Sequence, residues 1–169
     1  MHDFFIKQKP LFLLVLMAFS FSAYAEKVGK KLTELSFASQ PYDFHYSANG
    51  KHQLITVYPA KPSSMKNGEF NFKVQRLGFC PIAVTDIFNK AWYAPTKMVE
   101  REMRKNVKSK KHNPKCKLSG DHEGVIGKTW GLKPEAVTII VDGQGIVQFL
   151  EYGVLSDEQQ DKAIKLLQQ

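Results

Sequence analysis

The pattern of apolar and polar positions changes period twice between Leu54 and Phe88. Leu54-Ile55-Thr56-Val57-Tyr58 is a short β-branched and aromatic run that suits a buried strand. Pro59 and Pro62 end it, because proline supplies no N–H to a ladder. Ser63 or Ser64 suits the N-cap of a following helix, whose apolar face would carry Phe70, Val74 and Leu77 at i, i+4 and i+7. Gly78 suits its C-cap. Ile82 to Phe88 is then a nearly continuous apolar run, the signature of a strand covered on both faces. Strand, helix and strand in this order predict a parallel βαβ unit with a right-handed crossover.

Weaker signals flank this unit. Leu32, Leu35 and Phe37 suggest an early edge strand, and Phe44 and Tyr46 alternate with polar neighbours as a second short strand before the Asn49-Gly50 turn. After Asn89 to Tyr93, a loop under which Trp92 and Tyr93 are expected to pack, Pro95 is placed to open a helix. Val99, Met103 and Val107 give that helix a narrow apolar stripe. Cys116 to Leu118 suggests one more short strand, Ser119 to Gly124 a turn, and Val125 to Leu132 a short helix. Val137 to Val141 and Ile146 to Leu150, separated by Asp142-Gly143-Gln144-Gly145, predict an antiparallel hairpin. Ser156-Asp157-Glu158-Gln159 is a capping box for a last helix that buries Ala163, Ile164, Leu166 and Leu167. A parallel pair and an antiparallel pair together predict a mixed sheet in an α/β fold.

Composition changes this picture at the amino terminus. Lys7 and Lys9, the apolar run Leu11 to Phe21 and Ala23-Tyr24-Ala25 have the three parts of a cleavable export signal over residues 1–25. The apolar run is shorter than the about 20 residues a membrane span needs, so no integral membrane protein is expected. Residues 26–169 are then expected to form one exported domain. Export makes nucleic acid an unexpected partner. The two cysteines, Cys80 and Cys116, have no C-x-x-C spacing and suit a structural disulfide in an oxidising compartment.

The charge is uneven. Lys97, Arg101, Arg104, Lys105, Lys108, Lys110 and Lys111, continued by Lys115 and Lys117, form the densest basic patch. The plain account is a solvated helix face; the functional one is a polyanion-binding surface. His45 and His52 have no spaced ligand partners, and Asp121, His122 and Glu123 are consecutive, so no metal site and no cofactor are expected.

The order of elements, βαβ then ββα, resembles the thioredoxin-like three-layer sandwich, here with an extra N-terminal segment. The redox members of that fold carry W-C-x-x-C where the first strand of the unit meets its helix. The resemblance places Ser63-Ser64-Met65-Lys66 there, without a thiol. It also places Ala136 where those members have a cis-proline. Within this fold the chain is similar to the YtfJ family of exported bacterial proteins. The pieces that carry the similarity are Ala60 to Lys66, Ile87-Phe88-Asn89 with Pro95, and Val137 to Leu167. The resemblance brings no catalytic residues. The expectation is therefore a non-catalytic binding or structural protein of the envelope. Its partner would be an envelope protein or an anionic ligand, held at a turn made by Ser63, Ser64 and Lys66. The alternatives are thiol–disulfide exchange through Cys80 and Cys116, and polyanion binding through the basic patch.

Overall fold

The structure, a computed structural model, describes residues 27–61 and 65–169, with the side chains of residues 65–67 outside the description. The export signal expected over residues 1–25 lies outside the described residues, as do Ser63, Ser64 and the side chain of Lys66.

Seven strands and four helices are described. Strands β1 (Leu35–Phe37) and β2 (Phe44–Tyr46) pair antiparallel as a separate ribbon. Strand β3 (Gln53–Pro59) leads into helix α1 (Met65–Arg76) and then β4 (Ile82–Asp86). Helix α2 (Thr96–Lys108), strand β5 (Leu118–Asp121) and helix α3 (Val125–Trp130) follow. The hairpin β6 (Val137–Val141) and β7 (Val147–Tyr152) leads to α4 (Asp157–Leu167). The main sheet runs β5-β4-β3-β6-β7, with β3, β4 and β5 parallel and the hairpin antiparallel to them. This is the mixed sheet expected.

Alternation along β3 sorts the two faces. Leu54 packs with Phe70 and Val74 of α1 and with Ala163 and Leu167 of α4. Ile55 and Val57 point the other way, into a core closed by Phe44 and Tyr46 of the ribbon and Ile126 and Trp130 of α3. Ala83 of β4 lies on the α1 face and packs with Val99 and Met103 of α2. Helices α1, α2 and α4 thus form one outer layer, and the ribbon with α3 the other. The two parallel crossovers share a hand, which is why α1 and α2 fall on the same face. The extra N-terminal segment is the ribbon that completes the second layer.

Three local expectations are corrected. Leu77 is 50% exposed, because α1 stops at Arg76 and turns through Gly78 at φ 92°. There the Gly78 N–H donates to the Gln75 carbonyl and the Phe79 N–H to that of Val74. This Schellman ending hands the buried position to Phe79, which packs in the α1–α4 core. Ser119 to Asp121 belongs to β5 rather than to a turn, since edge pairing with β4 gives this polar stretch its backbone partners. Phe88 lies beyond the end of β4 and is exposed, so the apolar run outlasts the strand.

Candidate functional site

The carboxyl ends of β3, β4 and β5 open onto the same end of the sheet, where crossover proteins tend to place ligands. Two loops meet there. The Ala60 N–H donates to the Asp86 carbonyl, and the Ala91 N–H donates to the Ala60 carbonyl. The turn after β3 is thereby stitched to the loop after β4. Between them lies an open cleft of about 470 Å³, lined by Lys61, Lys90, Ala91, Trp92 and Tyr93.

The cleft is aromatic and cationic. Trp92 is 92% exposed and Tyr93 is exposed beside it, their rings perpendicular at 5.8 Å between centroids. This corrects the expectation that both pack under the loop. The small residues Ala91 and Ala94 take the buried positions instead, against Ile87, Val99 and Met103, so the rings between them point outward. Phe88 stands nearby under the Lys128 ammonium, 4.8 Å from the ring centroid. Contiguous exposed aromatics of this kind mark interaction sites.

The polar groups beneath the cleft are committed to structure. Asp86 and Asp121 are register partners at the carboxyl ends of β4 and β5. Asp86 accepts from the Asn89 backbone N–H at 2.9 Å and from its side-chain amide at 2.7 Å. Asp121 is buried and accepts from the N–H groups of Glu123, Val125 and Ile126, capping α3. It serves where Gly124, the residue before the helix, has no side chain to cap with. Burial pushes the Tyr58 hydroxyl above its ordinary range, opposed by hydrogen bonds with Thr85 and Asn71, so the group is neutral across the physiological range. Among the described residues no group of three or more His, Cys, Asp or Glu side chains is placed to hold a metal ion.

The cysteines are joined, with 4.9 Å between their Cα atoms. Their position matters more than the bond itself. Cys80 precedes β4 and Cys116 precedes β5, so the bridge crosses the amino ends of these parallel strands. The aromatic cleft is at the opposite end. One further contact holds the segment that follows α2 there, the Asn113 N–H donating to Gln75 Oε1 at 2.8 Å, and within the segment the Cys116 N–H donates to the Asn113 carbonyl at 2.9 Å.

The seven expected basic-patch residues are exposed, on or just after α2. Glu100 and Glu102 pair with three of them: Arg104 at 4.0 Å, Lys105 at 2.8 Å and Arg101 at 3.7 Å. The patch and the aromatic cleft share no residue. Sequence reasoning missed the cleft. The available signal was the run Phe88 to Tyr93, whose apolar spacing fits neither a strand nor a helix.

A mixed five-stranded sheet with this order and these crossovers defines the thioredoxin-like α/β class. Solved structures of that class agree in fold. A putative thiol:disulfide interchange protein DsbE from Chlorobium tepidum matches with a TM-score of 0.61 at 12% identity, over 83% of this chain and 95% of its own. A putative thioredoxin from Neisseria meningitidis matches at 0.59 and 13%, over 80% and 88%. StoA from Bacillus subtilis matches at 0.56 and 12%, over 77% and 95%. Identities this low speak to the fold alone. No curated protein matches the chain. Within the class, residues 85–169 match the family described as "Bacterial protein of unknown function (YtfJ_HI0045)", and the chain belongs to that family.

Proposed function

We propose that the chain is an exported, periplasmic, non-catalytic binding protein that uses a thioredoxin-like scaffold to present a recognition cleft. Residues 26–169 form that domain once residues 1–25 are removed. The observation that carries this reading is the Lys61–Lys90–Trp92–Tyr93 cleft at the carboxyl ends of the parallel strands. Two ammonium groups beside two exposed rings suit a peptide that offers a carboxylate and an apolar side chain. Ser63, Ser64 and Lys66 follow Lys61 in the chain and enter the reading as further anion-binding candidates at the start of α1. Disulfide exchange is disfavoured because the bridge lies at the far end of the sheet from the cleft.

Tryptophan fluorescence gives a direct test. The chain has two tryptophans: Trp92 is 92% exposed and Trp130 is buried. A peptide selected from a random displayed library should shift Trp92 emission to shorter wavelength on binding. Trp92→Ala should leave stability within about 0.5 kcal/mol, as for exposed positions generally. Lys61→Ala and Lys90→Ala should each weaken the peptide several-fold. Affinity unchanged in Trp92→Ala and in both lysine variants would remove the cleft from the account.

A further inference from the structure

The charge of this protein is segregated. Residues 96–117 carry nine basic and two acidic side chains, a net +7 against +8 for the whole chain. Over residues 26–169 the positions outside that segment hold thirteen basic and thirteen acidic residues, and so balance. The excess resides on α2 and the loop after it.

Geometry turns this excess into a face. Val99 and Met103 fix the inward side of α2. At 100° per residue, Lys97, Arg101, Arg104, Lys105 and Lys108 all fall on the opposite side. Met98, 44% exposed, stands among them. Glu100 and Glu102 flank this stripe. Helix α2 has 13 residues and is about 20 Å long. The loop beyond it adds Lys110, Lys111, Lys115 and Lys117, and the bridge at Cys116 holds that loop against the end of α1. The result is a long cationic helix flank, lined by no residue of the aromatic cleft, whose following loop is tied covalently to the end of α1.

We infer that the α2 face docks the protein on an anionic phospholipid bilayer, lying flat against the headgroups. A convex helix flank cannot enclose a small anion, but it meets an extended negative surface along its whole length. Cations near such a surface attract it electrostatically. Lysine and arginine stems with Met98 supply the apolar contact a flat-lying face needs. The inference is independent of the aromatic cleft, which shares no residue with this face.

Vesicle flotation tests it. Oxidised protein as purified from cells is mixed with phosphatidylethanolamine vesicles, with and without phosphatidylglycerol. Binding is expected only with phosphatidylglycerol, and is lost at 1 M salt, where the Debye length falls to about 3 Å. Each cation removed should weaken partitioning about fivefold, so Arg101→Ala/Lys105→Ala/Lys108→Ala should lose about a hundredfold. Lys162→Ala/Lys165→Ala, which removes charge from α4, should lose markedly less. Far-ultraviolet circular dichroism and intact disulfide verify that each variant is folded. Equal loss per charge in the α4 variant would reduce the effect to net charge and overturn the inference. So would capture of soluble polyphosphate without vesicle binding, or no binding to either vesicle.

Discussion

Replacing Cys80 and Cys116 together by alanine removes the chain's only disulfide, since it has two cysteines. Thirty-six positions separate them. Closing a loop of that length lowers unfolded-chain entropy by an amount equivalent to about 3.8 kcal/mol at 25 °C in the chain-entropy model. Buried Cys116 also loses its sulfur contacts, which adds about 1 kcal/mol. For a domain of this size, 1 kcal/mol moves Tm by about 2–4 °C, so the double variant should melt roughly 10 °C or more below the parent. Differential scanning calorimetry of both proteins, with the parent repeated in dithiothreitol, measures this. The reduced parent should fall close to the variant. The fold should survive, because the bridge touches neither sheet register nor the two main cores. A shift under about 2 °C would show that the bridge does not constrain the unfolded chain as its loop length requires.

Asp121→Ala leaves three backbone N–H groups at the start of α3 without their acceptor, two of them at 2.9 Å. It should cost about 3 kcal/mol in urea titration, with Asp121→Asn recovering part of that loss. Gly143→Ala would set a Cβ 2.5 Å from the Gly50 carbonyl carbon, in backbone that cannot swing aside. It should destabilise by about 2 kcal/mol or more, seen as a lower urea midpoint at unchanged slope. Burial pushes the Asp142 carboxyl up, but donors from Ile146, Gln144 and Gln148, with His52 nearby, outweigh it and hold the group below its ordinary 3.8. Its folded value is depressed, so its contribution is present above that unfolded value and is lost as pH falls through the folded one. Asp142→Asn should therefore narrow the stability gap between pH 5 and pH 2.5, read by thermal melts at both.

Much of the fold was legible because burial and period agree along this chain. The β3–α1–β4 unit was visible because Leu54 to Tyr58 and Ile82 to Val84 are nearly continuous apolar runs, as strands covered on both faces tend to be. The hairpin and the capping box announced themselves through local turn and cap chemistry. Strand β5 was expected too early, at Cys116 to Leu118, because Ser119-Gly120-Asp121 has the composition of a loop; edge pairing, a tertiary contact, makes those residues a strand. Leu77 shows the limit of periodicity, since a glycine one residue later ends the helix before the pattern does. The cleft was illegible for a related reason. Exposure of Trp92 depends on Ala91 and Ala94 filling the space beneath the loop, a packing choice that no window of residues displays. The turn expected at Ser63, Ser64 and Lys66 rests on the sequence, since Ser63, Ser64 and the Lys66 side chain lie outside the described residues.

Insulin reduction by dithiothreitol, followed as turbidity with and without the oxidised protein, tests the central claim. That claim is that this scaffold keeps its sulfur at the amino ends of the strands, as a clamp, and its recognition cleft at the other end. With the oxidised protein the precipitation rate should equal that of dithiothreitol alone, and Cys80→Ala/Cys116→Ala should give the same rate. Acceleration by the parent that disappears in the double variant would contradict it.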